Sequence, residues 1–178
     1  MQKTPSVTPL SQERIVAVAL SLTRQDGEPP GMRALAAELG VTPGALYRHV
    51  ASQQELVALM INEAMEHVEM PEPAEGADPW EPIRIHVRSL MGILDSYPGL
   101  DSLIARYGDG SPAARLRQRW LVRQLQAAGL ARADAVRAYG ALDMYWLGSR
   151  QRQRRPSSTF YFGLDRLLDG LRAFATKS

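Results

Sequence analysis

Side chains that could carry out catalysis are few and poorly placed in this chain of 178 residues. It has no cysteine, which removes thiol nucleophiles, disulfides and zinc–thiolate sites. Glu63 and His67 stand one helical turn apart, but two ligands are too few for a metal site. Glu72, Glu75 and Asp78 lie in a proline-rich stretch that is a poor place for a general acid. An enzyme is therefore a weakly supported alternative, and no cofactor or metal is expected.

A more specific pattern lies at residues 42–49, which read TPGALYRH. The first four residues are small enough to let the backbone approach another molecule closely: Thr42, Pro43, Gly44 and Ala45. Hydrogen-bond donors follow at Tyr47, Arg48 and His49. If a helix starts here, its free N–H groups and positive partial charge can also attract a phosphate. This chemistry suits a nucleic acid.

Two short helices would position those residues. The first is predicted over residues 32–39, and Gly40 ends it because glycine accepts a positive φ. Thr42 then caps a second helix that runs from Pro43 to about Val50. Two short amphipathic helices with a tight glycine-containing turn indicate a helix-turn-helix, whose second helix reads the major groove of DNA.

The helix pair has less specific interpretations. Such pairs also occur in helical proteins that do not bind DNA, Tyr47 can be a buried aromatic, and His49 can be a packing histidine. Residues 1–52 carry five basic groups and four acidic ones, and this net charge of about +1 is small for a DNA-binding segment.

The whole chain follows a helical period, which predicts an all-α fold of about nine helices. Prolines, Gly76 and acidic residues interrupt the pattern over residues 70–82. We therefore predict two helical modules, at residues 1–69 and 83–178, joined by a linker at 70–82. A turn is predicted at residues 108–110 and a basic connection at 150–158.

The formal net charge is only +2, but its distribution is uneven. Residues 53–114 hold eleven acidic groups and three basic ones, whereas residues 115–155 hold ten arginines and two acidic groups. The arginines favour either an anionic ligand or a simple solvated face. No apolar run of about 18 residues exists, and no signal-peptide pattern is present, so we expect no membrane span and a cytoplasmic protein.

Residues 32–50, MRALAAELGVTPGALYRHV, followed by S-x-x-E-L at 52–56, closely resemble the tetracycline-repressor (TetR) family of bacterial transcriptional regulators. The resemblance covers roughly residues 10–68. It implies a DNA-binding domain with a connecting helix at 1–69 and an effector-binding and dimerisation domain at 83–178. Residues 162–171, FGLDRLLDGL, look like the final dimerising helix of the tetracycline-repressor-like branch.

The resemblance implies roles for individual residues. Arg33 and residues 42–45 would read bases, Tyr47 and His49 would hold phosphates, and Arg48 could do either. Gln53 stands where many members have a phosphate-binding lysine, so affinity would be lower or would depend more on Lys3. If Arg33 reads a base, its replacement by alanine should cost about 1–3 kcal/mol of operator binding.

The resemblance also implies a homodimer that joins two copies of each of the last two helices. Residues 135–148 contain only two charged side chains, and an apolar stripe follows on the last helix. The predicted interface comprises Ala138, Ala141, Tyr145, Leu164, Leu168 and Leu171. Alternatively, these helices fill the core of a monomer.

A cavity is predicted between the fifth, seventh and eighth helices, although core packing explains each lining residue taken singly. The candidates combine apolar and polar side chains: Met91, Leu94, Tyr107, Trp120, Gln124, Asp143 and Trp146. The predicted function is a ligand-responsive regulator that a small molecule releases from its double-stranded DNA operator. The family resemblance favours a repressor over an activator. The alternative is a dimeric helical interaction protein that does not bind specific DNA.

Overall fold

The computed structural model of the protein describes residues 9–107, 111–152 and 157–176. Every regular element within these ranges is a helix, which confirms the predicted all-α fold. The nine helices are α1 (Gln12–Asp26), α2 (Met32–Leu39), α3 (Pro43–Tyr47), α4 (Gln53–Glu66), α5 (Glu81–Ser96), α6 (Leu100–Tyr107), α7 (Pro112–Ala127), α8 (Arg132–Arg152) and α9 (Ser158–Ala175). The turn predicted at 108–110, the end of the basic connection at 153–156, and Lys3 lie outside the described residues.

Helices α1 to α4 form a small bundle around apolar side chains that each helix supplies from one face. Ile15 of α1, Leu35 of α2, Leu46 of α3 and Leu56 of α4 are fully buried. Ser11 caps α1, because its hydroxyl accepts a hydrogen bond from the backbone N–H of Arg14 at 3.3 Å. Burial of several aliphatic side chains gives these short helices a stability that they would lack in isolation.

Helices α5 to α9 form a second packed unit, which α4 joins through contacts with α6 and α7. Its interior contains Leu90 and Leu94 of α5, Trp120 of α7, and Leu142 of α8. Helix α9 packs along α8, where the Tyr145 hydroxyl donates a hydrogen bond to the Phe160 carbonyl at 2.8 Å. The two units are therefore in direct contact, and α4 packs against helices of both.

Residues 67–80 connect α4 to α5, within the stretch predicted as a linker. The side chain of Asp78 accepts a hydrogen bond from the Trp80 N–H at 3.0 Å, and the Trp80 ring is buried. Arg84 lies 3.5 Å from both Asp78 and Asp165, which ties the linker and α5 to α9. The linker is thus fixed at its end by charged contacts.

Three helix ends differ from the predictions. Helix α3 ends at Tyr47 instead of about Val50, because the N–H groups of His49 and Val50 both bond to the Leu46 carbonyl and close a tight turn. Helix α5 begins at Glu81, inside the predicted linker. Helix α8 continues to Arg152, so Arg150 belongs to the helix and not to the connection after it.

Candidate nucleic-acid interface and ligand cavities

Helix α3 is held rigidly by one apolar side and by caps at both ends. Leu46 and Val50 are fully buried against α1 and its neighbours. The Thr42 hydroxyl accepts a hydrogen bond from the Ala45 N–H at 3.3 Å, and Pro43 occupies the first turn. Gln12 of α1 donates a hydrogen bond to the His49 carbonyl at 3.2 Å. This support fixes the direction in which the other side of α3 points.

The predicted DNA-contacting residues lie on that other side, and the structure brings them together. Thr42, Pro43, Gly44, Arg48 and His49 are exposed, and Ala45 is half-buried. Tyr47 is 50% exposed, which rules out its interpretation as a core aromatic. A side chain built on Gly44 would meet no atom within 4 Å. The short second helix of the motif therefore presents a clear surface.

Arg33 and Gln53 flank this surface and are both exposed. Arg33 lies in the first turn of α2, and Gln53 is the first residue of α4. Glu55 is also exposed, but its carboxylate accepts a hydrogen bond from the Ala51 N–H at 2.5 Å. The Ser52 hydroxyl accepts a hydrogen bond from the Glu55 N–H at 3.1 Å, so Ser52 and Glu55 together form a capping box. Glu55 thereby caps the start of α4.

The candidate cavity residues are mostly packed against one another. Met91, Leu94, Trp120 and Trp146 are buried, and so is Gln124. Gln124 donates a hydrogen bond to the Glu72 carboxylate of the linker at 3.2 Å. Tyr107 does not join this group, because it is 44% exposed at the end of α6.

Asp143 organises the polar part of this cluster. Its carboxylate accepts hydrogen bonds from Arg117 at 3.1 Å and from the Trp146 indole at 3.0 Å. The Arg117 guanidinium also lies 5.3 Å from the centre of the Trp146 ring. Both hydrogen bonds end on Oδ1 of Asp143, so Arg117 and Trp146 share one carboxylate oxygen. The Arg117 side chain is buried, whereas that of Asp143 is partly exposed.

His86 is the second polar centre, and the sequence predictions did not include it. Its Nδ1 lies 2.7 Å from the Glu69 carbonyl, which can only accept, so Nδ1 carries the proton. Burial, opposed by that hydrogen bond and assisted by the nearby Arg117, lowers the pKa of His86 to about 4. The ring packs 4.7 Å from that of Trp120. His86 is therefore neutral at pH 7, and neither its Nε2 nor the Trp120 Nε1 has a hydrogen-bond partner among the described residues.

A large cavity opens elsewhere, where the end of α1 meets α5, α6 and α8. Its volume is about 930 Å³. Of the seven predicted cavity residues, only Leu94 lines it. The rest of the lining includes five charged side chains that the sequence predictions missed: Arg24, Asp95, Asp101, Arg106 and Arg150. Sequence periodicity could not identify them, because the lining comes from four helices far apart in the chain.

The predicted interface residues divide into two groups. Ala138, Leu164 and Leu168 are buried inside the single chain, where they pack in the core. Their role at an interface stays a prediction. The half-buried residues are Ala141, Tyr145 and Leu171. The most exposed apolar side chains on these two helices are instead Met144, at 71%, and Phe162, at 66%.

Within the described ranges, no cluster of three or more His, Asp or Glu side chains is arranged to hold a metal ion. None of the helices in those ranges combines the length and the apolar character needed to cross a bilayer.

Comparison with known proteins identifies relatives along most of the chain. It is 30% identical over 142 residues to an HTH-type transcriptional regulator of Saccharopolyspora erythraea, and the match covers 79% of this chain. The chain spans 59% of the length of that curated relative. No protein-family model matches the chain.

Solved structures match over nearly the full length. BioQ of Mycobacterium smegmatis is 30% identical with a TM-score of 0.78, and the match covers 93% of this chain and 99% of BioQ. BioQ with its natural double-stranded DNA operator gives a TM-score of 0.79 at the same identity and coverage. The TetR family protein ActR of Streptomyces coelicolor, in complex with (S)-DNPA, is 25% identical with a TM-score of 0.79 and covers 94% of this chain and 100% of ActR. With its helix-turn-helix exposed at one end and helical relatives of full length, the chain belongs to the TetR family of transcriptional regulators.

Proposed function

We propose that this protein is a ligand-responsive regulator that binds a double-stranded DNA operator and is released from it by a small molecule. It acts as a transcription factor rather than as an enzyme, as its relatives do. Support comes from the operator complex of BioQ and the small-molecule complex of ActR, two proteins that match nearly the whole chain. A regulator of this kind works where chromosomal DNA is found, so we place it in the cytoplasm.

One observation carries the proposal: the start of α3 is exposed on a rigid support. Gly44 and Tyr47 point away from the core, while Leu46 and Val50 anchor the same turn from inside. Since Leu46 and Val50 already restrain the turn, little conformational entropy would be lost on binding, which favours affinity. In this proposal Thr42, Pro43, Gly44, Ala45 and Arg33 face base edges, and Tyr47, Arg48, His49 and Gln53 face phosphates.

The proposed assembly is a homodimer that forms through the outer face of α8 and α9. Met144 and Val136 are exposed on α8, with Gly140 and Gly148 at the same four-residue spacing. Phe162 is exposed on α9, and its ring lies 5.6 Å from the Arg166 guanidinium. An apolar helix face of this kind is normally covered by another helix, and glycines permit a close approach. Ala141, Tyr145 and Leu171 would flank this surface.

Twofold symmetry would place two copies of α3 about one DNA turn apart, roughly 34–36 Å. A ligand can bind more tightly to a conformer in which the two α3 helices have a different spacing. The free energy of operator binding would then be weakened by the difference in the ligand's affinity for the two conformers. In this proposal, the cluster of Met91, Trp120, Gln124, Asp143 and Trp146 lies where a ligand between α5, α7 and α8 would have to insert.

Fluorescence anisotropy with genomic fragments tests DNA binding directly. We expect one fragment to bind at least a hundredfold more tightly than random DNA, with affinity that falls as salt rises. Arg33→Ala should cost about 1–3 kcal/mol on that fragment if Arg33 reads a base. Equal weakening on random DNA would assign Arg33 to the backbone instead.

The alternative function is a dimeric helical protein that does not bind specific DNA. The nearly balanced charge of residues 1–52 and the neutral Gln53 favour it. Equally weak binding to all genomic fragments, with an intact dimer, would support this alternative.

A further inference from the structure

The lining of the cavity between α1, α5, α6 and α8 combines apolar and charged side chains. Leu147, Ala105 and Pro98 are among its apolar members. The charged members come from every one of the four helices. A volume of about 930 Å³ is within the range that holds a drug-sized organic molecule.

The two carboxylates of the lining are already engaged by Arg150, whose side chain is buried. Its Nη1 lies 2.5 Å from Asp95, its Nε lies 3.4 Å from Asp101, and its Nη2 donates to the Leu94 carbonyl at 3.2 Å. Asp101 also accepts a hydrogen bond from the Ser102 N–H at 3.0 Å. These contacts keep the end of α8 attached to α5 and α6.

Two other guanidinium groups of the lining are not engaged in this way. Arg24 is exposed at the end of α1, and its guanidinium lies 5.0 Å from the centre of the Tyr97 ring. Arg106 of α6 lies 3.9 Å from Glu28, but both side chains are mostly exposed, so this pair contributes little. Three guanidinium groups and two carboxylates give the lining one excess positive charge.

We propose that this cavity binds an organic anion whose apolar body lies on Leu147, Ala105 and Pro98 and whose acidic group is bound by Arg24 and Arg106. A carboxylate or sulfonate can accept hydrogen bonds from a guanidinium, and such charged hydrogen bonds are stronger than neutral ones. Burial of the apolar body then adds a contribution that a small inorganic anion cannot make.

The location gives such a ligand a route to DNA binding. Arg24 belongs to α1, which contacts the end of α3, and Arg106 belongs to α6 of the second packed unit. One acidic group bound by both arginines would therefore join the two units. This proposal deepens the proposed function by naming the chemical class of the effector and by placing it in this cavity instead of between α5, α7 and α8. It rests on the proposed function only in this respect. The binding itself can be measured without DNA.

Isothermal titration calorimetry with 2-naphthoate tests the site, and 2-naphthamide serves as the neutral probe of the same shape. We expect saturable binding of one naphthoate per chain and binding of the amide that is at least tenfold weaker. Arg24→Gln and Arg106→Gln should each weaken naphthoate binding about tenfold, which is the effect of losing one charged hydrogen bond. Neither substitution should change amide binding.

Two further variants test the position of the ligand. Ala105→Trp should abolish naphthoate binding, because it fills the cavity from an exposed helix position and so leaves folding intact. Arg119→Gln removes an exposed arginine of α7 that does not line the cavity, and it should leave binding unchanged. Equal binding of acid and amide, or full binding by the Arg24 and Arg106 variants, would overturn the proposal. Absence of operator binding would overturn the proposed function and leave the anion site standing.

Discussion

Gly27 and Gly99 bring the two helical units into backbone contact. A Cβ atom on Gly99 would lie 2.4 Å from the Gly27 carbonyl oxygen. Both residues have positive φ, +76° for Gly27 at the end of α1 and +92° for Gly99 between α5 and α6. Glycine is required at position 99 both for its conformation and for the space that the neighbouring turn leaves. This contact makes α1 sensitive to any displacement of α6.

Replacing Gly99 with alanine should therefore destabilise the protein by about 2–4 kcal/mol, because the clash involves backbone and the φ is strained. Urea unfolding at pH 7 measures the free energy of unfolding. Gly92→Ala is the matched control, since Gly92 is exposed within α5 and an added methyl group would touch nothing. It should stabilise the protein by about 0.5–1 kcal/mol through helix propensity. A Gly99→Ala protein as stable as the wild type would contradict the close contact.

Buried His86 should make stability depend on pH. Burial lowers its pKa to about 4 in the folded state, whereas the imidazole has an ordinary pKa of 6.5 in the unfolded chain. The unfolded state therefore binds more protons between these values, and stability falls as the pH drops from about 6.5 towards 4. Between pH 7 and pH 5 this group should cost about 2 kcal/mol. Well below pH 4, His86 is protonated in both states, so it contributes no further pH dependence of stability.

Urea unfolding of wild type and His86→Gln at pH 7 and pH 5 isolates this contribution. The glutamine can still donate to the Glu69 carbonyl but does not titrate, so its loss of stability between the two pH values should be about 2 kcal/mol smaller. Carboxylates contribute equally to both proteins and cancel in the comparison. Identical losses in the two proteins would show that His86 is not buried in the neutral form.

The exposed face of α8 should be necessary for assembly. Met144→Glu places a charge in the proposed dimer interface, where it would be buried without a partner. We expect analytical ultracentrifugation to show a dimer for the wild type and a folded monomer for this variant. Leu116→Glu is the control, because Leu116 is also exposed but lies on α7. Dissociation by both substitutions, or by neither, would place the interface elsewhere.

Features encoded by neighbouring residues could be predicted from the sequence. Gly40 with Thr42 and Pro43 located the turn before α3. These signals act within three or four residues, where capping and backbone preference determine the structure. The same local pattern left the exposure of Tyr47 open, and the fold determines it.

Features that depend on distant residues could not be predicted. Arg150 stands in a basic stretch of the sequence, but its partner Asp95 is 55 residues earlier, and only the folded chain brings them together. The apolar stripe of Leu164 and Leu168 predicted a partner surface, yet the same stripe is needed to hold α9 onto its own core. Periodicity shows that a face is buried but not which molecule covers it.

Operator affinity of a Gly44→Trp variant tests most directly whether α3 enters the major groove. Gly44 is exposed and an added Cβ atom would meet nothing within 4 Å, so the midpoint of thermal unfolding should stay within about 2 °C of the wild type, as for a surface substitution. On DNA the indole would occupy the position of the base edges, and anisotropy should show at least a hundredfold loss of affinity for the operator. A folded variant that binds the operator as tightly as the wild type would contradict the account.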